Sequence, residues 1–195
     1  MGLYKYLRET WNKDPQALLR SRLIGWRREP TVLRIERPTR IDRARSIGYK
    51  AKKGFLIVRV RLLRGGRRRP KQTSGRKPVS SRRLKILGFS YQRIAEERAN
   101  KQFKNCEILN SYFVAQDGLH YWYEVVLADR EQVSKYPGYE WLMNPSNRGR
   151  VYRGKTIAGR RGRGLLWKGK GAEKARPSRR ARYEHKFRLK KRFGH

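Results

Sequence analysis

The sequence predicts an α+β domain, a small antiparallel sheet with helices on one side, extended by a long basic loop and an extended C-terminal tail. Three observations carry that reading. "GFLIVRVRLL" (54–63) alternates with the period of a strand. "CEILNSYFVAQDGLHYWYEVVLAD" (106–129) reads as a hairpin turning at Asp117-Gly118. "SYQRIAEERANKQF" (90–103), lying between them, has the period of a helix. With a further strand upstream, the order strand, strand, helix, strand, strand suggests antiparallel pairing.

Each element has its own justification. In "NKDPQALLRSRLIGWRRE" (12–29) a helix is expected, with Asp14 as N-cap and Pro15 at the first helical position, where its missing N–H costs nothing. Leu19, Leu23 and Trp26 form its apolar stripe, and Arg20, Arg22, Arg27 and Arg28 its other sides. Gly25 weakens this helix by about 1 kcal/mol relative to alanine. "TVLRIE" (31–36) is a short strand closed by Pro38. In the strand at 54–63, Leu56, Val58, Val60 and Leu62 face the core. Arg59 and Arg61 share the other side with Phe55 and Ile57, which predicts a basic outer face. In the helix that follows, Ser90 is the N-cap and Tyr91, Ile94, Ala95, Ala99 and Phe103 line one side. The second hairpin arm presents Tyr121, Tyr123, Val125 and Leu127. Three regions result: an N-terminal helical segment (1–30), an α+β core (31–140) with a basic insertion at 64–83, and a basic tail (141–195).

Charge supplies the functional clue. The 195 residues carry a formal net charge of +37. Residues 43–95 hold 18 basic side chains and no acidic one, and residues 141–195 hold 19 against two. Between them, residues 96–140 have a net charge of −3. Like charges at this density repel, so a solvated face or solubility tail does not account for them, and polyanions are the natural partner. Arginine greatly outnumbers lysine over 59–83 and 148–163. Its planar fork bonds phosphate bidentately and stacks on bases. Glycines let the chain approach closely, and Tyr49, Tyr152, Trp167, Tyr183, Phe187 and Phe193 are placed to stack on unpaired bases. This mixture suits irregular folded RNA, and no helix-turn-helix, finger or zipper signature points to sequence-specific DNA binding. On charge and position, Arg59, Arg61, Lys71, Arg76, Lys77, Arg82, Arg83, Arg148, Arg150, Arg153, Lys155, Lys168 and Lys170 are candidate RNA contacts.

Beyond Trp141 no amphipathic period persists, and some 50 extended residues span on the order of 150 Å. Such a segment has too little apolar surface to order alone and is expected to fold on RNA. Amide protection is therefore expected over 54–63 and 90–128, with little over 64–83 or 145–195.

Other chemistries find little support. Cys106 is the single cysteine, which excludes an intramolecular disulfide and a cysteine-cluster zinc site, and it reads as a small hydrophobe at a strand start. The longest apolar runs are about four residues, too short for a signal peptide or a membrane span, so an intracellular, cytoplasmic protein is expected. "GLLWKGKG" (164–171) starts like a phosphate-binding loop, but Gly171 stands where a hydroxyl would hold magnesium. His120, His185 and His195 are scattered, and none pairs with Cys106 as a nucleophile would require. Glu96 and Glu97, beside Arg93 and Arg98, read as a solvated, salt-bridged helix face rather than a general acid–base pair. No enzyme is expected, and no cofactor beyond magnesium accompanying an RNA. The rivals are a DNA-compacting protein and an RNA-modifying or RNA-cleaving enzyme.

Several blocks together carry a family likeness. "GLYKYLRETW", "RPTRIDRARSIGYKAKKGFLIVRVRLLRGGRRRP" (37–70), "AEERA" (95–99), "LNSYFV" (109–114), "EVVLAD" (124–129) and "AGRRGRGL" (158–165) occur in order along the chain. Here the sequence resembles the large-subunit ribosomal protein fifteen-e family of archaea and eukaryotes, and the "GKGAEKARPS" tail is of the archaeal style. The resemblance implies an α+β body set in 23S-type ribosomal RNA, with loop and tail threading between RNA helices. It also implies neighbouring large-subunit proteins as partners, no membrane, no homo-oligomer and no catalysis. On matching positions it implies RNA contact by Arg40, Arg43, Arg45, Lys50, Lys52, Lys53, Arg64, Arg67, Arg68, Arg69, Arg160, Arg161 and Arg163.

Overall fold

The computed structural model describes residues 2–13, 15–68, 75, 84–85, 88–166, 182–184 and 187–188. Helices α1 (Leu3–Lys13) and α2 (Pro15–Arg28) lead into strand β1 (Val32–Ile35), the short helix α3 (Ile41–Ser46) and strand β2 (Phe55–Leu63). A two-stranded ribbon, β3 (Arg67–Arg68) with β4 (Leu84–Lys85), closes the base of the basic insertion. Helix α4 (Tyr91–Gln102), strands β5 (Cys106–Gln116) and β6 (His120–Asp129), and helix α5 (Arg130–Val133) follow. Two 3₁₀ turns, Glu140–Leu142 and Pro145–Asn147, then lead to helix α6 (Ile157–Gly162). The Asp14 cap lies outside the described residues.

The four long strands form one antiparallel sheet in the order β1-β2-β6-β5. The β5–β6 hairpin turns where expected: the backbone N–H of Asp117 donates to the His120 carbonyl at 3.0 Å, and its Oδ1 accepts from the N–H of Leu119 and His120. This Asx-type turn explains why aspartate precedes the glycine. Cys106 is buried at the start of β5, and Ser90 caps α4 by accepting the Arg93 N–H. Ala95 and Ala99 are fully buried, and their small side chains let the α4 backbone sit close to the sheet.

The α+β class and antiparallel sheet match the sequence, but helices cover both faces rather than one. One buried cluster joins Ala95 and Ala99 to Val58, Val60, Leu62, Ile108, Val125 and Leu127. The opposite cluster joins Leu19, Trp26 and Ala44 to Phe55, Ile57, Tyr112, Val114, Trp122 and Val126. The reason is in the strands. Both sides of β2 and β6 are apolar, so neither side can be left in water without exposing several large side chains. Two register shifts in β5, at Ile108/Asn110 and Phe113/Ala115, interrupt its alternation, so that Cys106 and Ile108 join the first cluster while Tyr112 and Val114 join the second.

Covering the second face changes the fate of Arg59. It was expected on a basic outer face, yet it is only 8% exposed. Its guanidinium lies 4.1 Å from the Trp26 ring and pairs with Glu29 at 2.5 Å. Arg61, half-buried, donates to the carbonyl oxygens of Trp26 and Arg27. Both side chains fasten α2 to the sheet.

The ordered body also runs past the boundary the sequence implied. Leu142, Val151 and Thr156 are fully buried, and Ala158 nearly so. Residues 145–164 thus pack on the body, and the expectation of little structure there does not hold. Glu96 is corrected by the same finding. It is 0% exposed, because this segment covers the part of α4 that was read as solvated. Its carboxylate accepts from Ser111 Oγ at 2.5 Å and Thr156 Oγ1 at 2.6 Å. Glu97 keeps its expected partner, accepting from Arg93 at 3.0 Å.

Candidate nucleic-acid interface

Some carboxylates are buried, and exposed cations far outnumber the exposed carboxylates among the described residues. Asp42, Glu96, Glu107 and Glu124 are buried. Glu124, in mid-strand on β6, accepts the Thr39 N–H at 3.0 Å, the Thr39 hydroxyl and the Tyr112 hydroxyl. Burial pushes the carboxyls of Glu96 and Glu124 above the usual carboxylate range, against the opposing pull of their hydrogen bonds. Asp117 goes the other way, held at about 2 despite burial by Arg27 and by backbone N–H groups. Among the described residues 25 lysine and arginine side chains are exposed, against five exposed carboxylates. Solvent-exposed charge is therefore overwhelmingly positive, and internal pairing does not neutralise it.

Eleven of these exposed cations fall in three groups, and seven more lie on α1 and α2. The first is a ridge over residues 40–53, where aromatic rings support four cations. The Arg40 guanidinium lies 5.0 Å from the Trp11 ring, Arg45 lies 5.7 Å from Tyr4, Lys50 lies 4.8 Å from Tyr139, and Lys52 lies 5.1 Å from Tyr136. Ring contact holds a cation through the quadrupole without cancelling its charge. Arg43, Arg45, Lys50, Lys52 and Lys53 are exposed, whereas Arg40 is half-buried and pairs with Asp42 at 3.3 Å.

A second cluster stands at the root of the basic insertion. Arg64 lies 4.9 Å from the Tyr121 ring and donates to the Asp117 carbonyl, and the Tyr91 hydroxyl donates to the Gly65 carbonyl at 2.8 Å. Arg64 and Arg67 are exposed. Arg68 lies in β3. Arg69, Lys71, Arg76, Lys77, Arg82 and Arg83 lie outside the described residues, as do Lys168, Lys170 and the end of the "GLLWKGKG" segment.

The third cluster is carried by residues 148–163, where Arg148, Arg153, Arg160 and Arg161 are exposed. Thr156 caps α6, its hydroxyl accepting the Gly159 N–H at 3.3 Å. Side chains here also tie the segment together: Arg163 donates to the Arg153 carbonyl at 3.2 Å, and Lys155 donates to that of Ser146. Arg150 is built in. It donates to the Ile108 carbonyl at 3.0 Å and to that of Lys155 at 3.4 Å, and lies 4.8 Å from the Trp141 ring. Sequence reading grouped Arg148 and Arg150 as equal RNA contacts, but the structure gives Arg150 a structural duty. Arg150→Ala is expected to cost about 2 kcal/mol, the scale of lost hydrogen bonds from a charged donor, whereas Arg148→Ala should stay within about 0.5 kcal/mol. Urea unfolding midpoints at unchanged slope check the contrast.

The residues weighed as catalytic do not converge. His120 sits beside the hairpin turn, 3.6 Å from Asp117 and against the Trp122 ring, while Glu97 belongs to α4 and pairs with Arg93. Among the described residues no helix is long and apolar enough to cross a membrane.

A family model described as "Ribosomal L15" matches residues 2–182. The chain belongs to the L15e family of ribosomal proteins. It is similar to the "Large ribosomal subunit protein eL15" of Nanoarchaeum equitans (strain Kin4-M), 50% identical over 190 residues that cover 94% of this chain and 100% of that protein. The L15e family is one of structural ribosomal proteins, not enzymes.

Proposed function

We propose that this chain is a structural constituent of the large ribosomal subunit that binds folded 23S-type rRNA and holds separate RNA segments together. The observation that carries the reading is the cationic exterior, 25 exposed cations against five exposed carboxylates among the described residues, which leaves a polyanion as the missing partner. Geometry bears on how many phosphates are met at once. The 40–53 ridge lies at the Phe55 end of β2, and Arg64 and the insertion leave from its Leu63 end. Eight residue steps of about 3.3 Å separate those ends by about 26 Å, too far for one phosphate to serve both. The exposed arginines and lysines of the three clusters carry the contacts, with those of the insertion and tail beyond the described residues. Arg59 and Arg150 serve the fold instead. Neighbouring large-subunit proteins are the other partners, the ribosome in the cytoplasm is the location, and magnesium enters only with the RNA.

Sedimentation of the native protein tests this. Co-migration with the large subunit, with release only in concentrated salt, is the expected result. Co-migration with nucleoid DNA would replace the proposal by DNA compaction. Turnover of rRNA fragments that is lost on replacing His120 or Glu97 would replace it by an enzyme.

A further inference from the structure

The loop joining α3 to β2, "GYKAKKG" (48–54), is built differently from the rest of the basic surface. Both of its end glycines take a left-handed backbone, φ +102° at Gly48 and +92° at Gly54. A β carbon at Gly54 would lie 2.8 Å from Val133 and 2.9 Å from Gln132, so that end is wedged against α5. Backbone bonds close the loop: Tyr49 N–H to the Ala44 carbonyl at 3.0 Å, Phe55 N–H to Lys52 at 3.2 Å, and Asp129 N–H to Gly54 at 2.9 Å.

Two tyrosines from the segment after α5 grip it twice each. The Tyr139 hydroxyl donates to the Gly48 carbonyl at 2.8 Å, and its ring lies beneath Lys50. The Tyr136 hydroxyl donates to the Lys53 carbonyl at 3.2 Å, and its ring lies beneath Lys52. Both rings pack on buried Phe55, at centroid distances of 5.2 and 6.1 Å. Among the described residues Lys50, Lys52 and Lys53 form no ion pair with a carboxylate. The result is three exposed, unneutralised ammonium groups on a loop fixed at both ends.

We infer that residues 48–54 form a preformed phosphate-binding loop, in which Tyr136 and Tyr139 are positioning residues that hold the Lys50 and Lys52 ammonium groups, and the Lys53 backbone, ready for an RNA backbone before any RNA arrives. The inference rests on the proposed rRNA binding and adds where a rigid first contact lies. A cation held on a ring keeps its charge and its outward N–H donors while losing rotamer freedom in advance, so less order is imposed on binding. The ligand class is phosphodiester backbone rather than a particular base, because ammonium groups act as point charges with no planar fork to read an edge.

The test measures affinity of the full chain for rRNA transcripts against salt, for wild type and three variants. Lys50→Ala/Lys52→Ala/Lys53→Ala should make the log–log salt slope shallower by roughly 2 to 3, at about 0.9 per duplex phosphate contact. Affinity at fixed salt should fall in the same variant; Tyr136→Leu/Tyr139→Leu should reproduce at least half of that affinity loss with the slope nearly unchanged, and add nothing when combined with the lysine changes, since the tyrosines act through the lysines. Tyr136→Phe/Tyr139→Phe keeps the rings and should restore most of the affinity. In RNA-free wild type, the Tyr49 and Phe55 amides should exchange slowly. Fast exchange at both, a wild-type slope in the lysine variant, or full additivity of the leucine and lysine losses overturns the inference. A shallow slope in wild type itself would overturn the rRNA reading instead.

Discussion

Gly159→Ala is expected to release residues 145–164 from the body while the sheet stays folded. An alanine β carbon there would stand 2.5 Å from Gly154 Cα, 2.8 Å from its carbonyl carbon and 3.1 Å from its oxygen. All three are backbone atoms, so no rotamer change relieves the contact. Gly154 cannot easily yield, because it holds φ +62° and its own missing side chain faces Arg163 at 2.9 Å. Overpacking costs about 1–3 kcal/mol where side chains can shift, and a backbone clash belongs at the upper end. Without that contact the bonds from Arg160 to Thr156 and from Lys155 to Arg150 lose their frame. Amides over 151–165 should then exchange fast, while those of β2, β5 and β6 stay slow. Affinity for rRNA should fall as well, because Arg148, Arg153, Arg160 and Arg161 ride on this segment. Gly162→Ala is the control: nothing lies within 4 Å of its added carbon, and it should be neutral. Slow exchange over 151–165 in Gly159→Ala would show that the packing described here does not hold the segment.

That segment also shows where sequence reading stopped. The strands, the hairpin turn and α4 were legible because their apolar residues recur with a period and Ser90 and Asp117-Gly118 mark ends and turns. Residues 145–164 have no such period. Val151, Thr156 and Ala158 are single small contacts spaced among arginines and glycines, and α6 contains two glycines that disfavour a helix. Its order comes from docking on α4, a tertiary fact that no local pattern carries. Glu96 was misplaced for the same reason, its partners Ser111 and Thr156 being 15 and 60 residues away.

The candidate interface was legible in outline through charge and composition, yet charge alone could not sort its members. Arg59 and Arg150 look like any other arginine in a basic run until Trp26, Glu29 and the β5 carbonyls are brought to them. One signal was available for Arg59. It alternates with Phe55 and Ile57, and a face carrying two such side chains has to be covered. Nothing comparable marked Tyr136 and Tyr139, because a tyrosine becomes a support for lysine only when the fold stacks them.

The protein's exterior positive charge is left for an external polyanion to match. Equilibrium binding of the full-length protein to large-subunit rRNA transcripts between 50 and 200 mM salt tests this most directly. If eight or more phosphates are engaged together, log affinity should fall against log salt with a slope of about −7 or steeper, a loss on the order of 10⁴-fold across that range. A slope shallower than about −2, or affinity unchanged over the same range, would contradict it.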